Sequence, residues 1–454
     1  MALNSARQLL KNGPMDARQR YATLVELGQA ASRYRLTVYA QESFTGVESL
    51  DPGLITRMLD DALAAIDHSI RNNRREDGLF HAYNLLDLKP DAAKIDTLYP
   101  MLEGQVAALS SGAIPPAQAV ELLQALFTSE LFRPDQKSFL LYPDRKLPRF
   151  LEKNRVPATQ VVAIPLVTRM LGQGDARIIE RDAAGTYRFN ADLTNVGVLD
   201  GRLTSLAPVY GELLEPARAP LRELYEEVFN HRAFTGRSGG MFGFEGLGCV
   251  YWHMVAKLLL AIQENFFAAR EQGADELICQ RLGSLYYRAR EGMGFNKTPA
   301  EFGAFPIDPY SHTPKHAGAQ QPGMTGVVKE EILTRLAELG VRVHAGSVQF
   351  EPALLRAREF IATAAPFRYL DVDGQWQELT VPDGGLAFTW CQVPLVYSVD
   401  DSARPTVTVT RDDGERQALP ALALPPEVAV EIFQRSGHIR RIELVLNSRQ
   451  LLAH

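Results

Sequence analysis

The sequence predicts a mainly helical protein whose C-terminal quarter forms an antiparallel, sandwich-like β unit. Between residues 16 and 339, apolar residues recur at intervals of three and four, the period of an amphipathic helix. After Gly340, apolar and polar residues alternate, and Asp-Gly turns separate the alternating stretches. We therefore expect a helical domain over residues 1–340 and a β domain over residues 341–454.

Nine segments carry the helical period. The predicted helices cover residues 16–33, 54–73, 101–111, 115–129, 158–172, 217–231, 246–271, 274–291 and 327–339. The long loops between them are rich in Pro, Gly, Asn and Asp, and they recur after helices. Loops of this length are uncommon in compact domains unless they are functional. We expect paired helices whose loops gather on one rim, with a short β-hairpin within residues 173–211.

The C-terminal stretches alternate in the manner of half-buried strands. They are VRVHAGSVQFEP, FRYLDVDGQWQELTVPDGGLAFTWCQVPLVYSV, PTVTVTRDDGERQAL and IRRIELVLN. The DG, DGG and DDG pairs and triplets between them favour tight turns. We expect about six to eight strands here.

Composition excludes several functional classes. Hydrophobic residues make up 46% of the chain, charged residues make up 22%, and the net charge is −6. This charge balance gives no electrostatic case for nucleic-acid binding, which would favour a basic face. Phosphate-loop and dinucleotide-binding motifs are absent from the sequence. We see no secretory signal and no membrane-spanning run, and we expect a cytoplasmic protein without a cofactor.

The stretch RSGGMFGFEGLGCVYWHM, residues 237–254, is too rich in glycine to extend the helix that follows it. Each glycine in a helix interior costs about 1 kcal/mol relative to alanine, whereas glycine suits a sharp bend or a close approach to a ligand. Arg237, Glu245 and Trp252 are its candidate site residues. Alternatively, the glycines let neighbouring helices pack closely and Glu245 only complements a helix dipole.

The stretch EFGAFPIDPYSHTPKHAGAQQPGMTG, residues 301–326, presents polar side chains from a backbone stiffened by prolines. Acids, hydrogen-bond donors and an aromatic ring on a rigid loop suit a hydroxyl-rich ligand such as a sugar. The candidates are Glu301, Asp308, Tyr310, His312, His316, Gln320 and Gln321. Asp308 could instead only begin a turn, and the histidines could cap loop backbone. No third metal ligand accompanies the two histidines, so we predict no metal site.

Two earlier loops share this polar character. Residues 72–86 (NNRREDGLFHAYNLL) carry arginines, acids, a histidine and a tyrosine, and residues 132–154 (FRPDQKSFLLYPDRKLPRFLEKN) are locally basic. The second loop could hold a phosphate or a carboxylate, because Arg and Lys donors match those groups. A solvated loop is the alternative for both.

The chain resembles the closing portion of the α/α-toroid carbohydrate-active enzymes, the superfamily of inverting glycoside hydrolases and phosphorylases. The similarity lies in Pro309-Tyr310, Pro322-Gly323-Met324-Thr325-Gly326, Leu339-Gly340-Val341 and Phe350-Glu351-Pro352. The resemblance implies an (α/α) toroid of helical hairpins followed by a β unit, and an oligo- or polysaccharide substrate. Thr325 is similar to a position where such phosphorylases hold phosphate.

Glycosidic bond cleavage needs a carboxylic acid, together with a second carboxylate that activates water or a phosphate that replaces the water. We expect Glu245 and Asp308 as this pair, because each occupies a stiff position beside an aromatic residue whose contact would raise a carboxyl pKa. The expected sugar contacts are Arg237, Trp252, Tyr310, His312, His316, Gln320 and Gln321. A lyase or epimerase that uses His and Tyr, and a non-catalytic glycan-binding subunit, stay open.

Overall fold

The computed structural model describes residues 2–11, 13–41, 43, 46–144, 146, 148–230, 248–293, 297–302, 312–313, 327–419 and 421–452. The chain divides into two compact units. Met1–Tyr142 together with Cys249–His454 form the main unit, and Pro143–Gly248 form the inserted unit. The predicted boundary near residue 341 lies inside the main unit and stays a prediction.

The N-terminal part of the main unit alternates helices with short hairpins. Its elements are α1 (Ala2–Leu10), α2 (Ala17–Ala40), α3 (Pro52–Asn72), β1 (Asn84–Lys89), β2 (Ala92–Thr97), α4 (Leu102–Ser110), α5 (Pro116–Thr128), β3 (Phe132–Arg133) and β4 (Ser138–Phe139). Asp16 caps α2, and Asp51 caps α3. The β1–β2 hairpin occupies a segment that we predicted as a loop. None of the described helices is both long and apolar enough to cross a membrane.

The inserted unit is a small helical fold around one hairpin. Its elements are α6 (Phe150–Lys153), α7 (Ala158–Ala163), α8 (Pro165–Gly172), β5 (Ile179–Arg181), β6 (Tyr187–Phe189), α9 (Val196–Ser205), α10 (Ala207–Tyr210) and α11 (Leu214–Phe229). The predicted hairpin within 173–211 is confirmed by the β5–β6 pairing. The predicted helix over 158–172 breaks at Ile164, because the residue before Pro165 avoids the helical conformation. Leu166, Leu199 and Leu221 are among the buried residues of its core.

Helix α12 is the centre of the helical part of the main unit. The elements that follow the inserted unit are β7 (Val250–Tyr251), α12 (Trp252–Glu271), α13 (Glu276–Arg290), α14 (Pro299–Phe302), β8 (His312–Thr313) and α15 (Val327–Glu338). Helix α12 contacts α4, α5, α13 and α15. Two buried side-chain amides of α12 donate hydrogen bonds to backbone carbonyls outside the helix. Gln263 Nε2 donates to the carbonyl of Thr334 at 2.8 Å, and Asn265 Nδ2 donates to the carbonyl of Leu109 at 2.8 Å.

The C-terminal part of the main unit is rich in strands. Its elements are β9 (Val341–His344), β10 (Ser347–Phe350), β11 (Ala365–Leu370), β12 (Trp376–Val381), β13 (Gly385–Trp390), β14 (Val393–Val399), β15 (Thr406–Arg411), β16 (Arg416–Leu419), β17 (Ala423–Leu424), α16 (Pro426–Phe433) and β18 (Ile439–Leu446). A five-stranded sheet has the order β13-β14-β18-β15-β16, and β14 and β18 run parallel. The prediction of strands in this region is confirmed, but the sheet is mixed rather than antiparallel.

The predicted (α/α) toroid with a β-sandwich is wrong. Helices make up 48% and strands 21% of the structure, and the strands form small separate sheets rather than one sandwich. A toroid needs consecutive helical hairpins packed side by side, but here the chain between β4 and β7 forms a separate compact unit. The described helices form no closed ring. The helical period reported which segments are helices, but it carried no information on which helices are neighbours.

A buried ion network joins α13 to α15. Glu338 is 0% exposed and accepts from Arg290 Nε at 2.8 Å, from Arg335 Nη1 at 2.7 Å and from the Tyr286 hydroxyl. Arg290 also pairs with Glu331 at 2.8 Å. The hydrogen bonds and opposite charges of this network offset the free-energy cost of burying the Glu338 carboxylate.

Candidate functional site

Three loops of the main unit meet in a small strand junction. Leu140 forms an isolated bridge with Val250, and β7 pairs antiparallel with β8, so that Val250 faces Thr313 and Tyr251 faces His312. These short pairings join the loop that follows α5, the start of α12 and the segment around His312. The glycine-rich and proline-rich stretches of the sequence are therefore adjacent at these residues.

Most of the predicted site residues lie outside the described residues. They are Arg237, Glu245, Asp308, Tyr310, His316, Gln320, Gln321 and Thr325. The catalytic pair therefore stays a prediction. His312 lies in β8 opposite Tyr251. Trp252 begins α12 and is 0% exposed.

A cluster of charged side chains lies beside Trp252. We call it the Lys297 cluster, and its members are Arg133, Asp135, Gln136, Lys137, Trp252, Lys297 and Glu301. Lys297 is only 7% exposed; its Nζ lies 5.0 Å from the centroid of the Trp252 ring and 3.4 Å from Gln136 Oε1. Gln136 Nε2 in turn donates to the backbone carbonyl of Glu301 at 3.1 Å.

Two ion pairs flank the buried lysine. Arg133 Nε pairs with Asp135 Oδ1 at 2.9 Å, and Lys137 Nζ pairs with Glu301 Oε1 at 3.5 Å. Among the described residues, the cluster thus holds three cations and two carboxylates.

Local backbone geometry positions the cluster. Pro134–Gln136 form a single 3₁₀ turn, and Lys137 ends that turn with φ +48°, a left-handed conformation unusual for a residue with a side chain. The chain after α13 comes so close to this turn that a Cβ at Gly292 would lie 2.2 Å from the carbonyl oxygen of Lys137. Glycine is required at that approach.

Capping hydrogen bonds at the start of α14 fix the backbone that carries Lys297 and Glu301. Thr298 and Glu301 bond reciprocally at the start of α14: the Thr298 amide donates to Glu301 Oε2 at 2.9 Å, and the Glu301 amide donates to Thr298 Oγ1 at 3.2 Å. These bonds fix the backbone directly after Lys297. Glu301, predicted as a site residue, therefore has a structural task here as well as its ion pair with Lys137.

The electrostatics of Lys297 are unusual. Burial, together with the nearby charge of Lys137, lowers the pKa of Lys297 from 10.5 to about 8, against the opposing effect of Asp135 and Glu301. A buried amine that titrates near neutral pH can hold an anion or transfer a proton. Strong perturbation of this kind is more frequent at functional sites than elsewhere.

The sequence did not single out Lys297. It stands directly before Thr298-Pro299, a helix-start signal, and after a Gly-containing stretch, but neither feature distinguishes a buried lysine from an exposed one. The basic loop around Arg133 was identified as a possible anion site, and Arg133 and Gln136 belong to the cluster. The partner that completes it lies 161 positions from Gln136 in the chain.

The polar loop over residues 72–86 is largely occupied by structural contacts. Arg74 pairs with Glu121 at 2.7 Å, and Arg75 pairs with Asp77 at 3.0 Å. A cleft of about 480 Å³ is lined by residues of α3, of α4 and of this loop, among them Phe80, His81 and Tyr83. Among the described residues, no group of three metal-ligating side chains is found here or elsewhere.

Comparison with known proteins gives one match. Residues 147–232 match the family model described as GH149 phosphorylase insertion domain 2. This range lies within the inserted unit, whose limits follow from contacts alone. The match links the chain to a glycoside phosphorylase family. It carries no information on the toroid superfamily that the sequence resembles, and no curated protein matches the chain.

Proposed function

We propose that this protein is a carbohydrate-active enzyme that cleaves a glycosidic bond of an oligo- or polysaccharide with phosphate as the acceptor. The observation that carries the proposal is the match of the inserted unit to a phosphorylase insertion domain. The polar loops that meet at the β7–β8 junction of the main unit support it. A phosphorylase acts on a sugar and on phosphate, which accounts for both the hydroxyl-binding and the basic character of those loops.

The proposed reaction is an inverting phosphorolysis. One carboxylic acid, Glu245 or Asp308, donates its proton to the glycosidic oxygen as the bond from that oxygen to the anomeric carbon breaks. A phosphate oxygen attacks the anomeric carbon from the opposite face. The products are a sugar 1-phosphate of inverted configuration and a shortened saccharide. Because phosphate replaces the activated water, this reaction needs only one of the two carboxyl groups as a proton donor.

The substrate-binding residues in this proposal are those that the sequence indicates. Hydroxyl groups would be bound by Arg237, Tyr310, His312, His316, Gln320 and Gln321, and phosphate by Thr325. Trp252, the other predicted sugar contact, is 0% exposed. The stiffness that prolines and glycines give to these loops would keep the contacts ordered, which matters because misplacement of reacting groups lowers the rate steeply.

Product analysis tests the proposal. The purified full chain is incubated with a panel of oligosaccharides, with and without phosphate, and sugar 1-phosphate and new reducing ends are measured. We expect sugar 1-phosphate only with phosphate present. Of Glu245→Gln and Asp308→Asn, the variant that removes the acid should lower kcat by about a hundredfold or more. Glu76→Gln, at an exposed loop position, is the matched control.

Two results would contradict the proposal. Reducing ends released equally without phosphate would identify a hydrolase, and unsaturated products would identify a lyase. Wild-type turnover in both carboxyl variants would remove Glu245 and Asp308 from the mechanism.

A non-catalytic glycan-binding subunit is the second candidate. It is favoured by the fact that the matched family model describes an insertion domain and not a catalytic one. Saccharide binding by calorimetry without any turnover would support it.

A further inference from the structure

We propose that the cleft between strand β13 and helix α15 binds an uncharged, extended peptide segment of another protein, which adds a strand to the free edge of β13. Two observations carry the proposal: unpaired backbone groups along β13, and an apolar cleft that runs beside them. It does not depend on the proposed function.

Strand β13 is one edge of the five-stranded sheet. It stands at the end of the strand order and pairs with β14 on its other side. Its residues, Gly385–Trp390, include no proline and no charged side chain, which are the devices that block pairing at natural sheet edges. The opposite edge strand, β16, begins with Arg416, which pairs with Glu443 at 2.8 Å. Of the two edges, β13 is therefore the one that suits an added strand.

The turn between β13 and β14 sets which residues of β13 are bonded to β14. Its two residues, Cys391 and Gln392, have φ +49° and +66°, as a type I′ hairpin turn requires. The flanking pair of such a turn, here Trp390 and Val393, shares hydrogen bonds, and every second pair along the ladder does the same. Pro394 lies in the next, non-bonded pair, where its missing N–H costs no bond to β13.

The backbone groups of Ala387 and Thr389 therefore face the free edge. Gly385, the outward residue before them, already accepts a hydrogen bond from the amide of Ile361 at 2.8 Å. In the part of the chain that the structure describes, no backbone hydrogen bond continues this pairing to Ala387 or Thr389. Two N–H donors and two carbonyl acceptors are thus open to an added strand.

An apolar cleft of about 610 Å³ runs along this edge. Residues of β13 line one wall, residues of α15 line the other, and the apolar side chains include Ile332, Leu336, Ile361, Phe367 and Phe388. Ile332 is 54% exposed, so this wall is open to solvent. Strand addition uses main-chain hydrogen bonds for affinity and apolar pockets for alternate side chains of the peptide. The edge and the cleft supply both.

Charge and size determine the kind of occupant. The charged residues that line the cleft are Arg335 and Glu359, and they pair with each other at 2.8 Å. Because each already compensates the other, a charged ligand would lose hydration there without gaining a partner. The volume is in the range of about 300–1,000 Å³ that small-ligand sites occupy, whereas association of two globular copies buries about 800 Å² on each. A short uncharged segment fits better than the face of a second copy.

The first experiment selects peptides without assuming their sequence. A phage-displayed library of short random peptides is panned against the full chain, after phage that bind the Ala387→Pro chain have been removed. We expect the selected peptides to carry apolar, uncharged residues at every second position. Proline removes the outward N–H of Ala387 and leaves the hydrogen bonds to β14 in place. Peptide affinity for this variant should therefore be about tenfold weaker than for the wild type.

Two further variants assign the effect to the cleft. Ala418→Pro makes the same change on β16, the opposite edge strand, and should leave peptide binding unchanged. Ile332→Asn, at an exposed position on α15, should weaken binding several-fold because an apolar contact is lost. Thermal unfolding of each variant establishes that it is folded.

Methylation of the peptide backbone distinguishes strand addition from other kinds of binding. The best peptide is synthesised in two versions, N-methylated at its odd or at its even positions. Only every second amide of an added strand faces its neighbour. One version should therefore bind about tenfold more weakly or worse, and the other should bind like the parent peptide.

Several results would overturn the inference. They are a selection that enriches no peptide, affinity that Ala387→Pro leaves unchanged, and equal affinity of the two methylated versions. A wild-type dimer in sedimentation that becomes a monomer in Ala387→Pro would assign the edge to a second copy instead. None of these measurements involves a saccharide, so they are decided separately from the proposed function.

Discussion

Glu338 and Lys297 are both charged side chains buried in the main unit, but their surroundings differ in kind. Glu338 accepts from two guanidiniums and a phenol. Lys297 has an amide oxygen and an aromatic face close by, and other cations stand near it. Burial raises the pKa of Glu338 even though Arg290 and Arg335 lower it, whereas burial and a like charge act together to lower the pKa of Lys297.

The two groups differ in whether their charge can be lost near neutral pH. Arg290 and Arg335 stay protonated in a protein. The negative charge of Glu338 is therefore needed to compensate theirs while the helices stay packed. The amine of Lys297 can lose its proton near pH 8, and the fold does not oblige it to stay charged. Groups with a pKa shifted in this way are more frequent at binding and catalytic sites than elsewhere.

The largest expected effect is that of Glu338→Gln. The amide keeps the shape of the side chain but leaves Arg290 and Arg335 with less compensation, and we expect a loss of about 3 kcal/mol in the free energy of unfolding. Urea denaturation measures it. Glu331→Gln, which removes only one ion pair with Arg290, is the control and should lose about 1 kcal/mol. Equal effects of the two variants would show that Glu338 is not the centre of the network.

Gly292→Ala should have the next largest effect. The added methyl group would meet the carbonyl oxygen of Lys137 at 2.2 Å, and backbone on both sides must move. We expect a loss of about 2 kcal/mol in the free energy of unfolding, measured by urea denaturation.

A matched glycine serves as its control. Gly201 lies inside α9, where a Cβ would meet no atom within 4 Å. Gly201→Ala should be neutral or stabilising by up to about 1 kcal/mol. If Gly292→Ala behaves in the same way, the close approach that fixes the Lys297 cluster is not real.

Lys297→Met should change the free energy of unfolding least, and it should raise that free energy instead of lowering it. Because folding lowers the pKa of Lys297 from 10.5 to about 8, the charged lysine destabilises the fold below pH 8. Wild-type stability should rise between pH 8 and 10.5, where the unfolded chain binds more protons than the folded one. The variant lacks this slope and should be about 1 kcal/mol more stable than the wild type at neutral pH, after the lost contacts with Gln136 and Trp252 are allowed for.

Thermal unfolding across the pH range checks this prediction. The stability advantage of the variant should shrink as the pH rises through that window. A variant that is less stable than the wild type at every pH would assign Lys297 a structural role like that of Glu338.

Much of the local structure follows from the sequence. The apolar period located α2, α3, α4, α5, α11, α12, α13 and α15 to within a few residues at most ends, because a helix is specified by neighbours three and four positions apart. The period-two pattern and the Asp-Gly turns located strands after Gly340 in the same way. The β1–β2 hairpin was missed, since its turn at Pro90-Asp91 uses an aspartate with φ +64° instead of a glycine.

What the sequence by itself determined is therefore the kind of each element and the chemistry of its loops. Only the tertiary structure showed that Pro143–Gly248 form a separate compact unit and that the helices form no ring in the described part of the chain. It also showed that Gln136 contacts Lys297. The physical reason is sequence separation. Helices and turns are determined by contacts between residues a few positions apart, whereas contacts between distant residues depend on how the surfaces of whole elements pack. The pKa of Lys297 belongs to the second class, because burial and Lys137 exist for it only once the chain has folded.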